Sequence, residues 1–247
     1  MISPGMNPVK RRRKTLHGKG REARDFLEVI TISFFSKLAD LLFPPKCPFC
    51  GRVKKQSDEP CCDRCVNALP FLRGEAALRR GDYFDVCVSP LKYEDQVRNA
   101  ILKFKFRGRT DYAEYFGKFM ADSAREHLAG KYNMITWVPL SSERKRTRGY
   151  DQAMLLALAA ALELDDVAVE TLEKTKDVIA QSTLNSAEER RENIKDVFAA
   201  TDPDLIAGKR ILLIDDIVTT GVTLSECSRA LLIGGAESVV CATIASA

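Results

Sequence analysis

The hydrophobic positions of this chain fall into short apolar runs that alternate with longer segments of helical periodicity. The run Ile211–Ile214 is short, continuous and β-branched at both ends, which predicts a strand buried on both faces. A helical pattern follows from about Leu224 to Ile233. A second buried run, Met134–Leu140, precedes an Ala- and Leu-rich helix that ends near Glu163. This alternation predicts an α/β domain with a mainly parallel central sheet flanked by helices.

The same patterns place the remaining elements of this domain, which we predict to span residues 80–247. Strands are expected at Tyr83–Val88, Leu91–Tyr93, Val167–Leu172, Phe198–Ala200 and Ser238–Ile244, and helices at Asp95–Phe106 and Asp111–Leu128. Residues 173–194 are polar, and we expect either a mobile lid over a site or a long surface connection.

The beginning of the chain differs from the rest in charge. Residues 1–24 contain eight Lys or Arg and one acid, whereas the whole chain has a net charge of only +4, so the remainder is slightly acidic. We predict a disordered basic tail at 1–24, with nucleic-acid binding as the alternative. An amphipathic helix is expected at 25–45, where Pro44 and Pro45 end it. Charged residues interrupt its apolar face, so we expect a cytoplasmic protein and keep membrane-surface binding as the weaker alternative.

Five of the eight cysteines cluster between residues 47 and 65. Cys47 and Cys50 form one Cys-x-x-Cys pair, and Cys62 and Cys65 form a second. This arrangement favours a structural zinc site in a small ribbon at 46–72 over a disulfide or a redox motif, because four thiolates complete a tetrahedral shell. Cys61 adjoins the second pair and is an alternative ligand to Cys62. The other three are expected in the core: Cys87, Cys227 and Cys241.

The residues after the run Ile211–Ile214 have the composition of a binding site. Asp215 and Asp216 are expected to close the strand, and Thr219-Thr220-Gly221-Val222-Thr223 leads into the next helix. A glycine at positive φ lets backbone N–H groups converge on an anion, and the helix N-terminus and the hydroxyl groups add donors. Ionised carboxylates accept hydrogen bonds from sugar hydroxyls or hold a metal. The segment therefore predicts a site for a phosphorylated sugar.

Two basic segments are further candidates for contact with anions. Ser141–Gln152 is predicted as a loop at the carboxyl end of a strand, where its cations could clamp a pyrophosphate; a plain solvated surface is the alternative. Lys103–Arg109 alternates Lys and Phe. We interpret it as the end of an amphipathic helix with Phe104 and Phe106 buried, and contact with phosphate or nucleic acid is the alternative.

Taken together, these motifs resemble one family. Ile211–Thr223 resembles the phosphoribosyl pyrophosphate (PRPP) motif of type I phosphoribosyltransferases, and residues 40–247 resemble the ComF family of phosphoribosyltransferase-like proteins. The further motifs that carry the resemblance are Leu42-Phe-Pro-Pro-x-Cys47-x-x-Cys50-Gly, Cys62-x-x-Cys65, Lys103-Phe-Lys-Phe-x-Gly108-Arg, Val138-Pro-Leu140, Arg148-Gly-Tyr-Asp-Gln-Ala153, Lys174-Thr, Gln181, Arg191 and Asn193. Two features depart from the family pattern: the basic tail, and Asp151 in place of Asn.

The resemblance implies a type I phosphoribosyltransferase fold with a small N-terminal zinc ribbon that has four cysteine ligands. It implies that Asp215 and Asp216 hold the ribose 2′- and 3′-hydroxyls of PRPP. Arg144, Arg148 and Gly149 would face the pyrophosphate, and Mg²⁺ would bridge ligand oxygens without a dedicated protein cage. Residues around the 5′-phosphate would be Thr219, Thr220, Gly221, Val222 and Thr223.

Three functional hypotheses follow from this resemblance. The first is an enzyme that displaces pyrophosphate from C1 of PRPP with an unidentified nitrogen acceptor, through an oxocarbenium-like transition state. The second is a PRPP-binding protein without turnover, since neither His17 nor His127 is an evident catalytic base. The third is an interaction protein of DNA uptake or handling, whose tail and ribbon contact single-stranded DNA. A homodimer is compatible with all three.

Overall fold

A computed structural model describes residues 44–55, 59–175 and 197–247, and of these, residues 46–247 belong to one unit. The predicted tail and nearly all of the predicted helix at 25–45 lie outside the described residues. So do positions 176–194 of the predicted lid, including Gln181, Arg191 and Asn193. No helix in the described part of the chain is long and apolar enough to cross a membrane.

The described residues form strands and helices that alternate through most of the chain. The strands are β1 (Leu78–Arg79), β2 (Cys87–Val88), β3 (Leu91–Lys92), β4 (Met134–Trp137), β5 (Leu172–Lys174), β6 (Phe198–Ala200), β7 (Arg210–Val218) and β8 (Ser238–Ser246). The helices are α1 (Asp63–Val66), α2 (Asp95–Phe106), α3 (Tyr112–His127), α4 (Ser142–Arg148), α5 (Gln152–Glu163), α6 (Pro203–Ile206) and α7 (Val222–Ile233), with a 3-10 turn at Gly74–Ala77.

Strand β8 lies at the centre of the main sheet. It pairs in parallel with β7 along one edge, and with β2 and then β3 along the other. β4 extends the sheet beyond β7 in parallel, with Met134 opposite Ile211, while β1 adds an antiparallel strand to β2. β5 and β6 form a separate antiparallel pair. The mainly parallel sheet predicted from the sequence is confirmed.

Both faces of this sheet are buried, as the continuous apolar run of β7 predicts. Ile211 and Leu213 point into a core that also contains Leu224 and Cys227 of α7. Leu212 and Ile214 point into the opposite core, which also contains residues of α2, α3 and α5. This alternation follows from the two-residue period of a strand, and it fixes which helix each residue at the end of β7 faces.

The N-terminal ribbon shares the second of these cores. Phe49 is buried, and its ring centroid lies 6.2 Å from those of both Phe116 and Phe119 on α3. Lys54 is also buried, with its Nζ 3.8 Å above the ring of Tyr115. Aromatic and cation–π contacts of this kind add to simple area burial, so the ribbon is packed onto the helical layer and not tethered loosely to it.

Several predicted strands have different limits in the structure. The predicted strand Tyr83–Val88 is reduced to β2. The predicted strand Val167–Leu172 is shifted: regular pairing begins at Leu172, and Ala168 makes only an isolated bridge to Ile135. β7 was predicted to close at its two acids but continues to Val218, because β8 keeps pairing with it as far as Ser246.

Candidate functional site

Asp215 and Asp216 lie inside the last part of β7 and therefore face opposite sides of the sheet. Asp215 lies on the α7 side, close enough to three buried thiols for its charge to affect their pKa values: Cys87, Cys227 and Cys241. Asp216 lies on the α2 side, where Lys105 contacts it. The two acids thus have unlike surroundings although they are neighbours in sequence.

The carboxyl group of Asp215 is partly buried. Burial, followed by the neighbouring Asp216 carboxylate, raises its pKa to about 8, although its Oδ1 accepts a hydrogen bond from the Asp216 N–H at 2.8 Å. An uncompensated buried acid favours its neutral form. In the free protein, Asp215 is therefore close to half-protonated near pH 8 and can still donate a hydrogen bond at neutral pH.

This raised pKa predicts how stability changes with pH. Between about pH 4 and pH 8 the unfolded chain has released the Asp215 proton and the folded chain has not, so the free energy of unfolding falls as pH rises. Asp215→Asn removes this effect. We expect urea unfolding to show a variant more stable than wild type by about 1–2 kcal/mol at pH 8, with the difference smaller at pH 6.

The exposed acid Asp85 provides the matched control for this measurement. Asp85→Asn removes the same charge from the surface, and its stability should follow that of the wild type at both pH values. A pH-independent difference between Asp215→Asn and wild type would contradict the assignment of a partly buried, protonated acid at position 215.

Asp216 is paired with Lys105, a residue that the sequence patterns did not assign to the site. Lys105 Nζ lies 2.8 Å from Asp216 Oδ1, and the two side chains are only 19% and 15% exposed. Lys105 comes from the C-terminal end of α2, more than a hundred residues away in sequence. The motif Lys103-Phe-Lys-Phe was the available signal, but its pattern alone does not indicate which side chain reaches β7.

The segment between β7 and α7 forms a turn at the same edge of the sheet. Gly221 has φ +81° and is the N-cap of α7, so the predicted left-handed glycine is confirmed. Thr219 and Thr220 are exposed, Val222 is buried and Thr223 is intermediate. The first-turn N–H groups of a helix have no intrahelical acceptor and attract anions. Arg79 of β1, a second residue not predicted, donates to the carbonyl of Thr219.

The predicted basic loop is instead a short helix, α4. Ser141 accepts a hydrogen bond from the Arg144 N–H at 3.4 Å, and Gly149 ends the helix at φ +79°. Good caps at both ends explain why a polar stretch is helical. Lys145 is used within the protein, since its Nζ lies 3.4 Å from Asp151 and 3.7 Å from Glu170.

Arg148 links α4 to α2 and to the start of α5. Its guanidinium stacks 4.7 Å from the ring centroid of Phe106 and donates to Gln152 Oε1 at 2.8 Å. Burial lowers the pKa of Arg148, and the facing Asp216 carboxylate opposes that shift. Phe106 is 61% exposed, so its predicted burial is wrong, whereas Phe104 is fully buried as expected. Arg148 is thus near enough to Asp216 and to Arg144 for their charges to affect its pKa.

Asp151, where the family pattern has Asn, has a structural role. It is only 3% exposed and accepts hydrogen bonds at 3.2 Å from the N–H groups of both Leu140 and Met154. It therefore caps α5 and holds the segment that leaves β4. Its charge is balanced by Lys145, so the acid does not stand unpaired beside the basic helix.

The four predicted zinc ligands come together at the ribbon. The sulfur atoms of Cys47, Cys50, Cys62 and Cys65 all lie within 4.8 Å of one another, and the Sγ atoms of Cys50 and Cys62 are 3.6 Å apart. Tetrahedral Zn–S bonds of about 2.3 Å require sulfur–sulfur distances of about 3.8 Å. The cluster therefore fits zinc with four thiolates, a structural site without an open position. Within the described ranges, no other group of three or more His, Cys, Asp and Glu side chains could hold a metal.

Cys61 lies outside this cluster. Burial, followed by the charge of Cys47, raises the pKa of its thiol to about 12. Burial also opposes ionisation of Cys62, yet hydrogen bonds from the Cys65 backbone and from neighbouring thiols lower its pKa to about 7. The structure therefore assigns Cys62 to the cluster, and Cys87, Cys227 and Cys241 are buried core residues, as predicted.

Known families match both parts of the chain. The phosphoribosyl transferase domain matches residues 147–247, and the double zinc ribbon domain matches residues 38–92. The first match includes β7, the turn at Gly221 and α7, and the second includes the four clustered cysteines. The fold is thus a type I phosphoribosyltransferase fold that carries an N-terminal zinc ribbon.

Three curated relatives are similar over most of their length. Competence protein F of Haemophilus influenzae is 30% identical over 199 residues, covering 77% of this chain and 86% of the relative. Competence protein ComFC of Bacillus subtilis is 27% identical, covering 78% and 74%. DNA utilization protein YhgH of Escherichia coli K12 is 27% identical, covering 78% and 80%. On this combination of domains and relatives, the chain belongs to the ComF family.

Proposed function

We propose that this protein binds PRPP with Mg²⁺ and displaces pyrophosphate from C1 of its ribose with an unidentified nitrogen acceptor. The observation that carries the proposal is the meeting of three features at one edge of the sheet. The two acids of β7 precede the Gly221 turn, which opens helix α7. Lys105 pairs with Asp216, and Arg148 lies near enough for the Asp216 charge to affect its pKa. Acceptors for sugar hydroxyls thus lie beside donors for oxyanions.

In this proposal each predicted residue keeps its role. Asp215 and Asp216 accept from the ribose hydroxyls, and Arg144, Arg148 and Gly149 face the pyrophosphate. Mg²⁺ supplies charge neutralisation on the leaving pyrophosphate. The protein contributes positioning and oriented cations, which are the main means of catalysis when the chemistry is loss of an anionic leaving group. The residues around the 5′-phosphate are Thr219, Thr220, Gly221, Val222 and Thr223.

Pyrophosphate release is the direct test of this proposal. The full-length protein is incubated with PRPP, Mg²⁺ and a panel of nucleobases and amines, and PRPP binding is measured in parallel by calorimetry. Release above the acceptor-free rate with at least one acceptor supports an enzyme. Binding without release from any acceptor favours a PRPP-binding protein without turnover, and absence of binding refutes the site.

The names of the relatives favour a second role, in DNA uptake or handling. Competence protein ComFC and DNA utilization protein YhgH both carry names from that context. We propose a cytoplasmic protein whose basic tail at 1–24 contacts single-stranded DNA. We also propose that the protein is a homodimer. Its oligomeric state can be measured in the same preparations.

Deletion of residues 1–24 should abolish binding of a single-stranded oligonucleotide, measured by fluorescence anisotropy. Eight cations contacting phosphates also predict a steep fall of affinity with salt in the intact protein. The matched control for length is a full-length protein in which the Lys and Arg residues of the tail are changed to Gln. Unchanged binding after deletion would exclude the tail as the contact.

A further inference from the structure

Lys105 and Asp216 form an ion pair that occupies the candidate site in the free protein. Their 2.8 Å contact is largely shielded from water, since both side chains are less than one-fifth exposed. Removing either partner would leave the other charge poorly hydrated. Lys105 therefore neutralises one of the two acids that the proposed ribose site needs.

The backbone on both sides of Lys105 is fixed to the segment that carries Arg148. Phe104 is fully buried, and its carbonyl accepts a hydrogen bond from the Tyr150 hydroxyl. The Phe106 ring stacks under the Arg148 guanidinium. Lys105 is thus anchored at its Cα, while its ammonium group ends a four-carbon chain with freely rotating bonds. The fixed backbone keeps the Lys105 side chain directed toward the site. The flexibility of that side chain allows its ammonium group to move within the site.

The charges of the proposed ligand require a change at this pair. Ribose hydroxyls are neutral and can donate to Asp216 in place of the Lys105 ammonium. The pyrophosphate of PRPP brings several negative charges to a site that already holds two acids, and a cation released from Asp216 is well placed to bind it. Arg148 cannot swing as freely, because its guanidinium is held by Phe106 and Gln152.

We infer that Lys105 is a further ligand-binding residue, which exchanges Asp216 for a pyrophosphate oxygen and so selects the pyrophosphorylated sugar over ribose 5-phosphate. The inference rests on the proposed function. It assigns the discrimination between the two sugars to a residue of α2, outside both the acidic strand and the basic helix α4.

The test compares two ligands on three proteins. Calorimetry with Mg²⁺ measures the affinities for PRPP and for ribose 5-phosphate of wild type, Lys105→Met and Lys103→Met. Lys103 is the matched control, because it lies two residues earlier on α2, about 200° around the helix axis, and pairs with no acid in the described part of the chain. Lys105→Met should lose PRPP affinity by about tenfold or more and ribose 5-phosphate affinity by less than about threefold. Lys103→Met should resemble wild type with both ligands.

Three results would overturn the inference. Equal losses for both ligands in Lys105→Met would mean that Lys105 only neutralises Asp216, and unchanged affinity for PRPP would mean that it does not reach the pyrophosphate. Failure of the wild type to bind PRPP would overturn the proposed function together with this inference. Should Lys105→Met fail to fold, Lys105→Gln replaces it. Its amide can still donate to Asp216, so selective loss of PRPP in that variant supports the exchange and equal loss refutes it.

Discussion

Cys62→Ala is expected to empty the zinc site and to lower the midpoint of thermal unfolding by about 10 °C. The reason is that zinc bound to four thiolates supplies folding free energy, and loss of one of the four ligands removes most of it. The effect should spread beyond the ribbon, because Phe49 is packed between Phe116 and Phe119 in the main core. Metal analysis of the wild type should give about one zinc per chain.

Cys61→Ala is the control for this experiment. Cys61 is the sequence neighbour of Cys62 and is the more buried of the two, yet its sulfur lies outside the metal cluster. The control should retain zinc and lose only the small packing contribution of one thiol. A wild-type protein that is folded without zinc and whose clustered thiols react freely would contradict the site.

Asp215→Asn and Asp216→Asn are each expected to weaken PRPP binding by about tenfold to a hundredfold, with no change in secondary structure. Asp216→Asn replaces a charged acceptor by a neutral one, and hydrogen bonds to charged groups contribute about 1.5–3 kcal/mol. Asp215→Asn replaces a carboxyl group, mostly neutral in the free protein below about pH 8, by an amide that can no longer ionise to accept from the ribose hydroxyls. Calorimetric titration with PRPP and Mg²⁺ measures the loss, and circular dichroism monitors the fold. Asp85→Asn, which removes an exposed acid, should bind as wild type does.

The two Asn variants should differ in stability although both lose affinity. Asp215→Asn replaces a partly buried acid of raised pKa and should be stabilised at pH 8, whereas Asp216→Asn removes the partner of Lys105 and should be destabilised. Unchanged PRPP affinity in both variants would refute the assignment of the ribose site to this strand.

The sequence was sufficient for most of the fold because its apolar runs are unambiguous. Helix α2 has the predicted limits, Asp95 to Phe106, and the run at Ile211 is buried on both faces. The length of β7 was not predictable from its own residues. Its length depends on pairing with β8. That pairing extends β7 through Asp215 and Asp216 to Val218, although local propensity would end the strand earlier.

The wrong prediction for Phe106 has a geometric cause. Residues two apart in a helix lie about 200° apart around its axis, so Phe104 and Phe106 cannot share one buried face. The alternation of Lys and Phe would suit a strand, but the segment is the end of α2. Lys105 lies between these two residues on the helix, and its side chain contacts Asp216 of β7. Partners so distant in sequence leave no local pattern, which is why the acids and the Gly221 turn were predicted and the Lys105 contact was not.

The central position of β8 has a consequence for the chain while it is being made. All three neighbours of β8 in the sheet, namely β2, β3 and β7, are synthesised before it. Until residues 238–246 have emerged, these strands have no common partner and expose unpaired edges of apolar sequence to other molecules. A truncation before Ser238 should therefore accumulate as aggregate and not as a smaller folded domain.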